Sequence, residues 1–416
     1  MRICIHRGTQ EVGGTCIEIE SAGQRIVLDA GLPLEGEDSV DSLPQVSGFR
    51  EPDETLLAAI ISHPHQDHYG LSKYFRPGVK MMMGVATEQI LKTAKIFTPS
   101  GIEFKNVLHL EHRKALSLGP YTITPFLNDH SAYDAYSILI ACRSTGKRLF
   151  YSGDLRGHGR KAAIFQELLQ NSPTNIDLLL MEGTSIGRIS QTAEFPAERE
   201  LEQCFVKQMM ATQGMVLVWT SAQNIDRLVT IYKACKQAGR QLIVDMYTAE
   251  ILRATGNHRL PQATWNGVKV FLPESQKRQI KRHHLYTLAM RYKPSRIYPE
   301  QLAGLTSRSV MLFRPSMMRD LEDAGCLDGA SLVCSLWPGY LDQEKQRPFL
   351  EWIDRHRIPL THCHTSGHAS ITDLKKFAQA IAPKVLVPIH SFEGKRFKEY
   401  FANVETKGDG QWWEVP

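Results

Sequence analysis

The chain has 416 residues, a formal net charge of +5, and hydrophobic and charged fractions of 42% and 22%, ordinary values for a globular protein with a large core. Its eight cysteines include no C-x-x-C pair, so the sequence indicates neither a disulfide framework nor a zinc knuckle, and we expect Cys363 to be a buried thiol. The first residues are typical of a strand and not of a signal peptide, and no apolar run reaches membrane-spanning length. These features favour a cytoplasmic protein of two or three domains, without membrane partners.

The apolar run Thr55 to Ile61 is a predicted strand that ends beside potential metal ligands. It is followed by the pattern H-x-H-x-D-H, residues 63–68. Two imidazoles at this spacing can reach one ion from the end of a strand, and the next Asp and His can turn toward a second ion. Imidazole and carboxylate suit zinc, with manganese or iron as alternatives. A polar loop that is merely rich in histidine is the less favoured interpretation.

Further metal-type residues stand at the ends of three more β-rich runs. Asp129 and His130 follow the run Ile123 to Leu127, and Asp154 follows the run Arg148 to Ser152. His390 directly follows a third run, residues 384–389. Loops at strand ends gather beside one edge of a sheet, so these residues can complete a metal site.

The middle of the chain predicts a separate α/β domain. Ala197 to Gln213 is typical of a helix, and residues 225–235 show apolar side chains at helical spacing. Strands are predicted over residues 215–219, 241–244, 268–272, 310–313 and 331–335. Because strands and helices alternate, we expect a parallel sheet, inserted between residues near Ser190 and near Arg355.

Two groups of residues are candidates for binding phosphate. Ser221, Asn224 and Arg227 lie at a predicted strand-to-helix junction, where amide groups and a guanidinium can hold an anion. A simple helix-capping role for Asn224 is the favoured alternative. The second group lies near the end of the chain and offers an imidazole, a hydroxyl and a glycine that lets a ligand approach the backbone. Its members are His364, Ser366 and Gly367.

A basic stretch, Gln276 to His284, contains four Lys and Arg residues, and Arg291, Lys293 and Arg296 follow closely. A solvated helix face and a surface that follows a phosphate backbone are equally favoured interpretations. Composition does not decide between them.

Several separated motifs resemble the β-CASP nucleases of the metallo-β-lactamase fold, and ribonuclease J in particular. Asp29, followed by Ala30-Gly31, resembles the first strand-end Asp of the family. Glu182 resembles the acidic residue that precedes the inserted domain. The segments 364–370, H-T-S-G-H-A-S, and 387–390, V-P-I-H, are similar to the closing motifs of these nucleases. Gln66 departs from the pattern, since an acidic residue is common there in ribonuclease J.

The resemblance implies an αββα sandwich with an inserted parallel α/β domain. The expected boundaries are 1–189 for the first part of the metallo-β-lactamase domain, 190–355 for the β-CASP insert and 356–416 for the return. It also implies two divalent metal ions, zinc or manganese, that share a hydroxide. The first ion would be held by His63, His65, His130 and Asp154, and the second by Asp67, His68, Asp154 and His390.

Asp67, His368 and Glu182 are the candidate catalytic residues under this resemblance. His368 would protonate the departing oxygen, and Glu182 would orient His368 or tune its basicity. Asp29 would hold the ligand loops from outside the coordination sphere. Two alternatives stay open: Glu182 as a plain buried carboxylate, and His368 as a plain phosphate ligand.

The implied activity is cleavage of single-stranded RNA, from the 5′ end or internally. DNA as the substrate, hydrolysis of small esters or thioesters, and a non-catalytic scaffold are the alternatives. The scaffold is disfavoured because every expected ligand position is filled. The chain stops soon after the last motif, so we expect the C-terminal domain of ribonuclease J to be absent. A homodimer and a partner that delivers RNA both stay open.

Overall fold

A computed structural model describes all 416 residues and divides the chain into two units. Unit 1 comprises Met1–Lys92, Ile102–Phe195 and Gly367–Pro416, and unit 2 comprises Thr93–Gly101 and Pro196–Ser366. None of the helices combines the length and the apolar character that a membrane span requires.

The strands are β1 (Arg2–Arg7), β2 (Cys16–Ser21), β3 (Gln24–Leu28), β4 (Leu56–Ile60), β5 (Met81–Gly84), β6 (Val107–Leu110), β7 (Leu116–Leu118), β8 (Tyr121–Leu127), β9 (Tyr136–Cys142), β10 (Arg148–Tyr151), β11 (Leu178–Glu182), β12 (Val216–Trp219), β13 (Gln241–Asp245), β14 (Val268–Phe271), β15 (Arg296–Ile297), β16 (Ser309–Phe313), β17 (Ser331–Cys334), β18 (Leu360–His362), β19 (Val385–Ile389) and β20 (Trp412–Glu414).

The α-helices are α1 (Gln66–Tyr69), α2 (Val85–Phe97), α3 (Ala162–Gln170), α4 (Glu198–Ala211), α5 (Ile225–Gln237), α6 (Met246–Ala254), α7 (Glu274–Arg282), α8 (Tyr286–Arg291), α9 (Pro299–Leu302), α10 (Met318–Asp323), α11 (Arg347–Arg355) and α12 (Ile371–Ile381). Short 3-10 helices cover Val40–Ser42, Gly70–Tyr74, Lys293–Ser295, Ala303–Arg308, Pro315–Met317, Pro338–Tyr340, Glu344–Gln346 and Gly394–Glu399.

Unit 1 contains two mixed sheets, with the strand orders β20-β1-β2-β3-β4-β5-β6 and β19-β11-β10-β9-β8-β7. Their facing surfaces share one buried core, in which Ile17 and Ile60 of the first sheet meet Ile138 and Leu180 of the second. Further apolar clusters cover the outer faces of both sheets, and α3 and α12 pack against the second sheet. The predicted αββα sandwich with an additional α/β domain is confirmed.

The C-terminal return supplies β19 and α12 to unit 1. β19 pairs in parallel with β11, and β11 pairs in parallel with β10. Ser370 caps α12 by accepting a hydrogen bond from the amide of Asp373, and the helix ends at Ala382 in the left-handed conformation. This arrangement brings the carboxyl ends of β10, β11 and β19 to one edge of the sheet.

Unit 2 is built on a parallel sheet of order β15-β14-β13-β16-β12-β17-β18. Five of these strands coincide with the predicted strands, and α4 and α5 lie where helices are predicted. The unit extends beyond the expected insert of 190–355, because β18 pairs with β17 and keeps the chain in this sheet. The expectation of a buried Cys363 thiol is wrong, since Cys363 is bonded to Cys204 in a disulfide.

Candidate metal centre

The pattern H-x-H-x-D-H folds as a strand end followed by one turn of helix. β4 ends at Ile60, His65 takes the N-cap position of α1, and Asp67 and His68 lie on that helix. The loop after β3 holds this turn in place, since the amides of Ala30 and Leu32 donate to the carbonyls of His68 and Gln66. Gly31 is required here, because a Cβ atom on it would overlap the carbonyl of Asp67.

Three imidazoles form a first group of potential ligands. His63, His65 and His130 place one nitrogen each within 4.8 Å of the others. Nδ1 of His65 lies 3.1 Å from Nε2 of His130. Burial is the main cause that lowers the pKa of His65 to about 4 and the pKa values of His63 and His130 well below the ordinary value. These imidazoles are therefore neutral at pH 7, as metal ligation requires.

A second group combines two carboxylates with two imidazoles: Asp67, His68, Asp154 and His390. Oδ2 of Asp67 lies 3.9 Å from Nε2 of His68 and 3.6 Å from Nε2 of His390. Thr15 Oγ1 lies 3.0 Å from Nδ1 of His390, on the opposite side of the ring, and fixes its orientation. All four residues were assigned together from the family resemblance, and the structure brings them together.

Asp154 lies between the two groups. Its Oδ2 atom is 3.1 Å from Nε2 of His68, 3.7 Å from Nε2 of His63 and 3.8 Å from Nε2 of His390. Burial alone would raise the pKa of Asp154, but His390, His68 and His368 lower it well below its ordinary value. Its carboxylate is thus ionised and placed to be shared by both groups.

Four nitrogen and oxygen atoms of these residues are buried and lack any hydrogen-bond partner, and two of them, Nε2 of His63 and Nε2 of His390, lie close to carboxylate oxygens of the second group. A buried polar atom without a partner is costly and normally marks an absent water, ion or ligand. A tetrahedral zinc ion with bonds of about 2.0–2.1 Å separates its ligand atoms by roughly 3.3 Å, close to the spacings found here. The residues therefore fit a metal cofactor. The four atoms are Nε2 of His63, Nδ1 of His130, Oδ1 of Asp154 and Nε2 of His390.

Asp29 supports the second group from outside, as predicted for its position. Its Oδ2 atom accepts hydrogen bonds from Nδ1 of His68 at 2.7 Å, from Oγ of Ser62 at 2.8 Å and from Oη of Tyr151 at 2.5 Å. Its Oδ1 atom accepts from the amide of Ser62 at 2.7 Å. A carboxylate that accepts from a ligating imidazole fixes the tautomer and orientation of the ring.

His368 and Glu182 form a pair next to Asp154. Nδ1 of His368 donates to Oε2 of Glu182 at 3.1 Å and lies 3.6 Å from Oδ2 of Asp154. Burial alone would lower the pKa of His368, but Glu182 and Asp154 raise it to about 9. Glu182 is itself held by the amides of Leu155 and Thr184. Glu182 and Asp154 thus favour the protonated form of His368 beside the ligand groups.

Sequence reasoning did not single out several residues that position the ligands. Asn128 follows β8 and donates to the carbonyls of Ser152 and Asp154, which ties the His130 loop to the Asp154 loop. Three further residues orient neighbouring side chains. The hydroxyls of Ser62 and Tyr151 donate to Asp29, and Oγ1 of Thr15 contacts Nδ1 of His390. Such common polar residues carry no signal in one sequence, because only their contacts distinguish them.

The predicted phosphate-binding residues have different surroundings. Gly367 packs beside the ligand loops, since a Cβ atom on it would lie 3.0 Å from Oγ of Ser131 and 3.5 Å from Cε1 of His130. His364 and Ser366 are half-buried and belong to the last residues of unit 2. Ser221 is exposed, and its hydroxyl accepts from the amide of Gln223.

Arg227 requires a correction. The Arg227 side chain is fully buried, and its guanidinium donates to Glu198 at 3.0 Å and to the Ser335 and Cys363 carbonyls. No part of it is left for a phosphate group. Asn224 caps α5 by accepting from the amide of Arg227 at 3.0 Å, which is the alternative that the sequence favoured.

Comparisons with known proteins agree with this geometry. Residues 24–218 match the model of the Beta-lactamase superfamily domain. Ribonuclease J of Sinorhizobium meliloti is 22% identical over 88% of this chain and 64% of its own, and ribonuclease J of Helicobacter pylori is 23% identical over 92% and 55%. A ribonuclease of Thermus thermophilus is 26% identical over 95% of this chain and 94% of its own.

The chain thus spans less than two thirds of the length of these two ribonuclease J relatives. A solved structure from Enterococcus faecalis, of a protein of unknown function, superimposes with a TM-score of 0.78 at 20% identity and covers 99% of both chains. That likeness concerns the fold alone. The present chain shows the metallo-β-lactamase fold with a candidate metal centre, and it is similar to ribonuclease J along most of its length.

Proposed function

We propose that this protein is a metal-dependent hydrolase that cleaves phosphodiester bonds in single-stranded RNA. One observation carries the proposal: Asp154 stands between two groups of buried ligands, and the acid His368 stands beside it. The kinship with ribonucleases supports RNA as the substrate, since the Thermus relative matches over nearly its whole length.

The two ligand groups support two divalent ions, zinc in the first place and manganese as the alternative. His63, His65 and His130 would hold one ion, and Asp67, His68 and His390 the other, with Asp154 shared. Bound ions of this kind lower the pKa of a coordinated water and neutralise charge on a phosphate. The role of Asp29 and Thr15 is to keep the imidazole nitrogens pointed at the ions.

His368 is the proton donor in this proposal. Glu182 and Asp154 favour the protonated form of its imidazole, Nδ1 donates to Glu182, and Nε2 would donate to the departing oxygen of the substrate. An oxygen that leaves a phosphodiester needs a proton, and a positioned acid supplies it. The exposed fraction of the His368 side chain, 21%, gives the substrate access to the ring.

Four residues are candidates for contacts with the phosphate groups of the substrate. Gly367 would let a phosphate approach the backbone beside the His130 loop, and His364, Ser366 and Ser221 are the remaining candidates for phosphate contacts.

Unit 2 would correspond to the β-CASP insert of the nucleases. We place the protein in the cytoplasm, with a homodimer or an RNA-delivery partner as its assembly.

The test uses purified protein loaded with zinc or manganese and a single-stranded RNA that carries a 5′ monophosphate and a 3′ label. We expect cleavage that is lost in the Asp67→Ala, His68→Ala double variant. Gln66→Ala is the matched control, because Gln66 lies in the same turn, is exposed and is not a ligand. A gel that resolves single nucleotides separates progressive shortening from the 5′ end from discrete internal cuts.

A DNA strand of the same sequence tests the choice of nucleic acid. If neither RNA nor DNA is cut with either metal, while a small thioester is hydrolysed and the double variant abolishes that reaction, the nuclease proposal is wrong. The protein would then be a small-molecule hydrolase that uses the same ligands.

A further inference from the structure

Unit 2 contains a long segment without acidic residues. From Ser275 to Pro299 the chain has no Asp or Glu, but it has seven Lys and Arg. The rest of the chain carries 42 Lys and Arg against 44 Asp and Glu. This segment therefore accounts for the whole positive net charge of the protein.

Within the segment, helix α7 presents a basic face. Ile280 and Gln276 are buried, whereas Arg278, Lys281 and Arg282 are exposed on the opposite face at spacings of three and four residues. None of these three cations forms an ion pair with a carboxylate. Other cations nearby do: Lys277 lies 3.3 Å from Glu274, and Arg291 lies 2.8 Å from Glu250. The three unpaired charges are thus available to a partner.

An exposed aromatic ring follows these cations along the chain. Tyr286, at the start of α8, is 53% exposed, and its ring lies 6.3 Å from that of His284. Met290 is 60% exposed one turn later on the same helix. We call the surface formed by Arg278, Lys281, Arg282, His284 and Tyr286 the basic patch.

A merely solvated helix explains this surface poorly. Like charges three or four residues apart cost a helix about 0.2–0.5 kcal/mol per pair, and Arg278 forms such pairs with both Lys281 and Arg282. The helix dipole favours cations in the last turn, which accounts for Lys281 and Arg282. It accounts neither for Arg278 nor for the exposed ring of Tyr286. A bound polyanion would remove the repulsion.

We propose that the basic patch binds the backbone and bases of single-stranded RNA. The cations match the repeated phosphates, and an exposed aromatic ring stacks on any base, a combination typical of surfaces that bind single strands without sequence preference. This inference rests on the proposed function, because it takes the RNA substrate as the partner. An acidic peptide or an anionic membrane would use the cations but not the stacking ring.

The experiment measures RNA binding without cleavage. A fluorescent single-stranded RNA of about 30 nucleotides, longer than the roughly 4–16 nucleotides that one OB-fold domain covers, is titrated in EDTA with the complete chain. The test variant carries Arg278→Gln, Lys281→Gln and Arg282→Gln. The control variant carries Lys207→Gln, Lys233→Gln and Lys236→Gln, which removes the same charge from exposed positions on α4 and α5 of the same unit.

We expect the test variant to bind this RNA at least about tenfold more weakly than the control at moderate salt. The dependence of log K on log salt should become shallower by about 2, since each lost phosphate contact on a single strand contributes about 0.7. Tyr286→Ala should weaken binding with the salt dependence unchanged. Circular dichroism and urea unfolding of both triple variants check that the protein remains folded.

Equal RNA affinities of the two triple variants would overturn the inference. So would a selective loss of binding to anionic lipid vesicles or to poly-glutamate in the test variant. Cleavage of a trinucleotide separates this failure from failure of the proposed function. If wild-type protein cleaves the trinucleotide and the test variant binds long RNA normally, only the role of the basic patch is wrong.

Discussion

Both units bury ionisable side chains, and Arg227 of unit 2 and His63 of unit 1 have contrasting surroundings. In unit 2, Arg227 is fully buried and its guanidinium is surrounded by the Glu198 carboxylate, the Ser335 hydroxyl and two carbonyls. Glu198 accepts a further hydrogen bond from Thr230. In unit 1, the buried atoms Nε2 of His63 and Oδ1 of Asp154 have no hydrogen-bond partner.

The difference separates structural charges from functional ones. A buried ion pair is compatible with a stable fold only while both partners are present, because removal of one leaves the other charge buried without compensation. A buried polar atom without a partner costs free energy in the folded state, and this cost is recovered when a ligand binds. Burial alone therefore does not identify a site. The absence of partners at neighbouring atoms does.

The largest expected effect comes from removing an unpartnered ligand. His63→Leu keeps a similar volume and removes Nε2, which lacks a hydrogen-bond partner, together with Nδ1, which lies 3.0 Å from Oγ of Ser62. We expect metal affinity to fall by more than about 100-fold, the upper end of what loss of an outer-shell partner costs. RNA cleavage should fall with it. The stability of the metal-free protein should not decrease by more than about 1 kcal/mol.

Metal content after dialysis and urea unfolding in EDTA measure these two quantities separately. Full metal content in the His63→Leu variant would contradict the ligand assignment. A large loss of stability in the metal-free variant would show that buried hydrogen bonds hold His63 in the fold, as they hold Arg227.

The opposite result is expected for the buried pair of unit 2. Arg227→Met leaves the Glu198 carboxylate buried without its partner, which typically costs about 3–5 kcal/mol of folding free energy. The double variant Arg227→Met, Glu198→Met should recover part of this loss. Urea unfolding measures both, and metal content per folded molecule should stay at the wild-type level. A stability loss below about 1 kcal/mol in the single variant would contradict the structural role of Arg227.

Asp29 combines features of Arg227 and His63, because its carboxylate is fully hydrogen-bonded and also orients the proposed metal ligand His68. Asp29→Asn keeps the shape but cannot accept the four hydrogen bonds from Ser62, Tyr151 and His68. We expect a 10–100-fold loss of metal affinity, the usual cost of removing such a support. Tyr151→Phe removes one of these bonds and should cost less. Competition with a chelating dye measures both variants, and equal losses would contradict the central role of the His68 contact.

The sequence predicted the strand ends well because apolar runs followed by metal-type residues are local patterns. H-x-H-x-D-H, Asp154 and His390 all lie where such a run stops, and the structure brings them together. Family resemblance was needed to divide them into two groups with Asp154 shared. The contacts of Asn128, Tyr151 and Thr15 could not be predicted, because they join residues far apart in the chain.

The errors have the same physical origin. Arg227 lies at a strand-to-helix junction that can bind phosphate, and only the packing of Glu198 and Ser335 around it shows that its guanidinium is occupied. Cys204 and Cys363 are separated by 159 residues, and no local pattern indicates that they meet. Local patterns thus locate ends of elements, while pairing of side chains depends on the whole fold.

Asn224 gives the smallest effect and tests the same distinction at one residue. As the N-cap of α5 it accepts from the amide of Arg227, and Asn224→Ala should cost about 1 kcal/mol of folding free energy. Asn224→Asp keeps an acceptor oxygen at the cap and adds a charge that suits a helix N-terminus, so its stability should equal or exceed that of the wild type. If Asn224 only caps, neither variant changes RNA affinity. If Asn224 instead contacts phosphate, Asn224→Asp would weaken RNA binding without a loss of stability, because the new carboxylate would repel RNA while the helix stays intact. Parallel measurements of urea unfolding and RNA binding on the two variants therefore decide between the two roles, and we expect a loss of stability in Asn224→Ala alone, with RNA affinity unchanged in both.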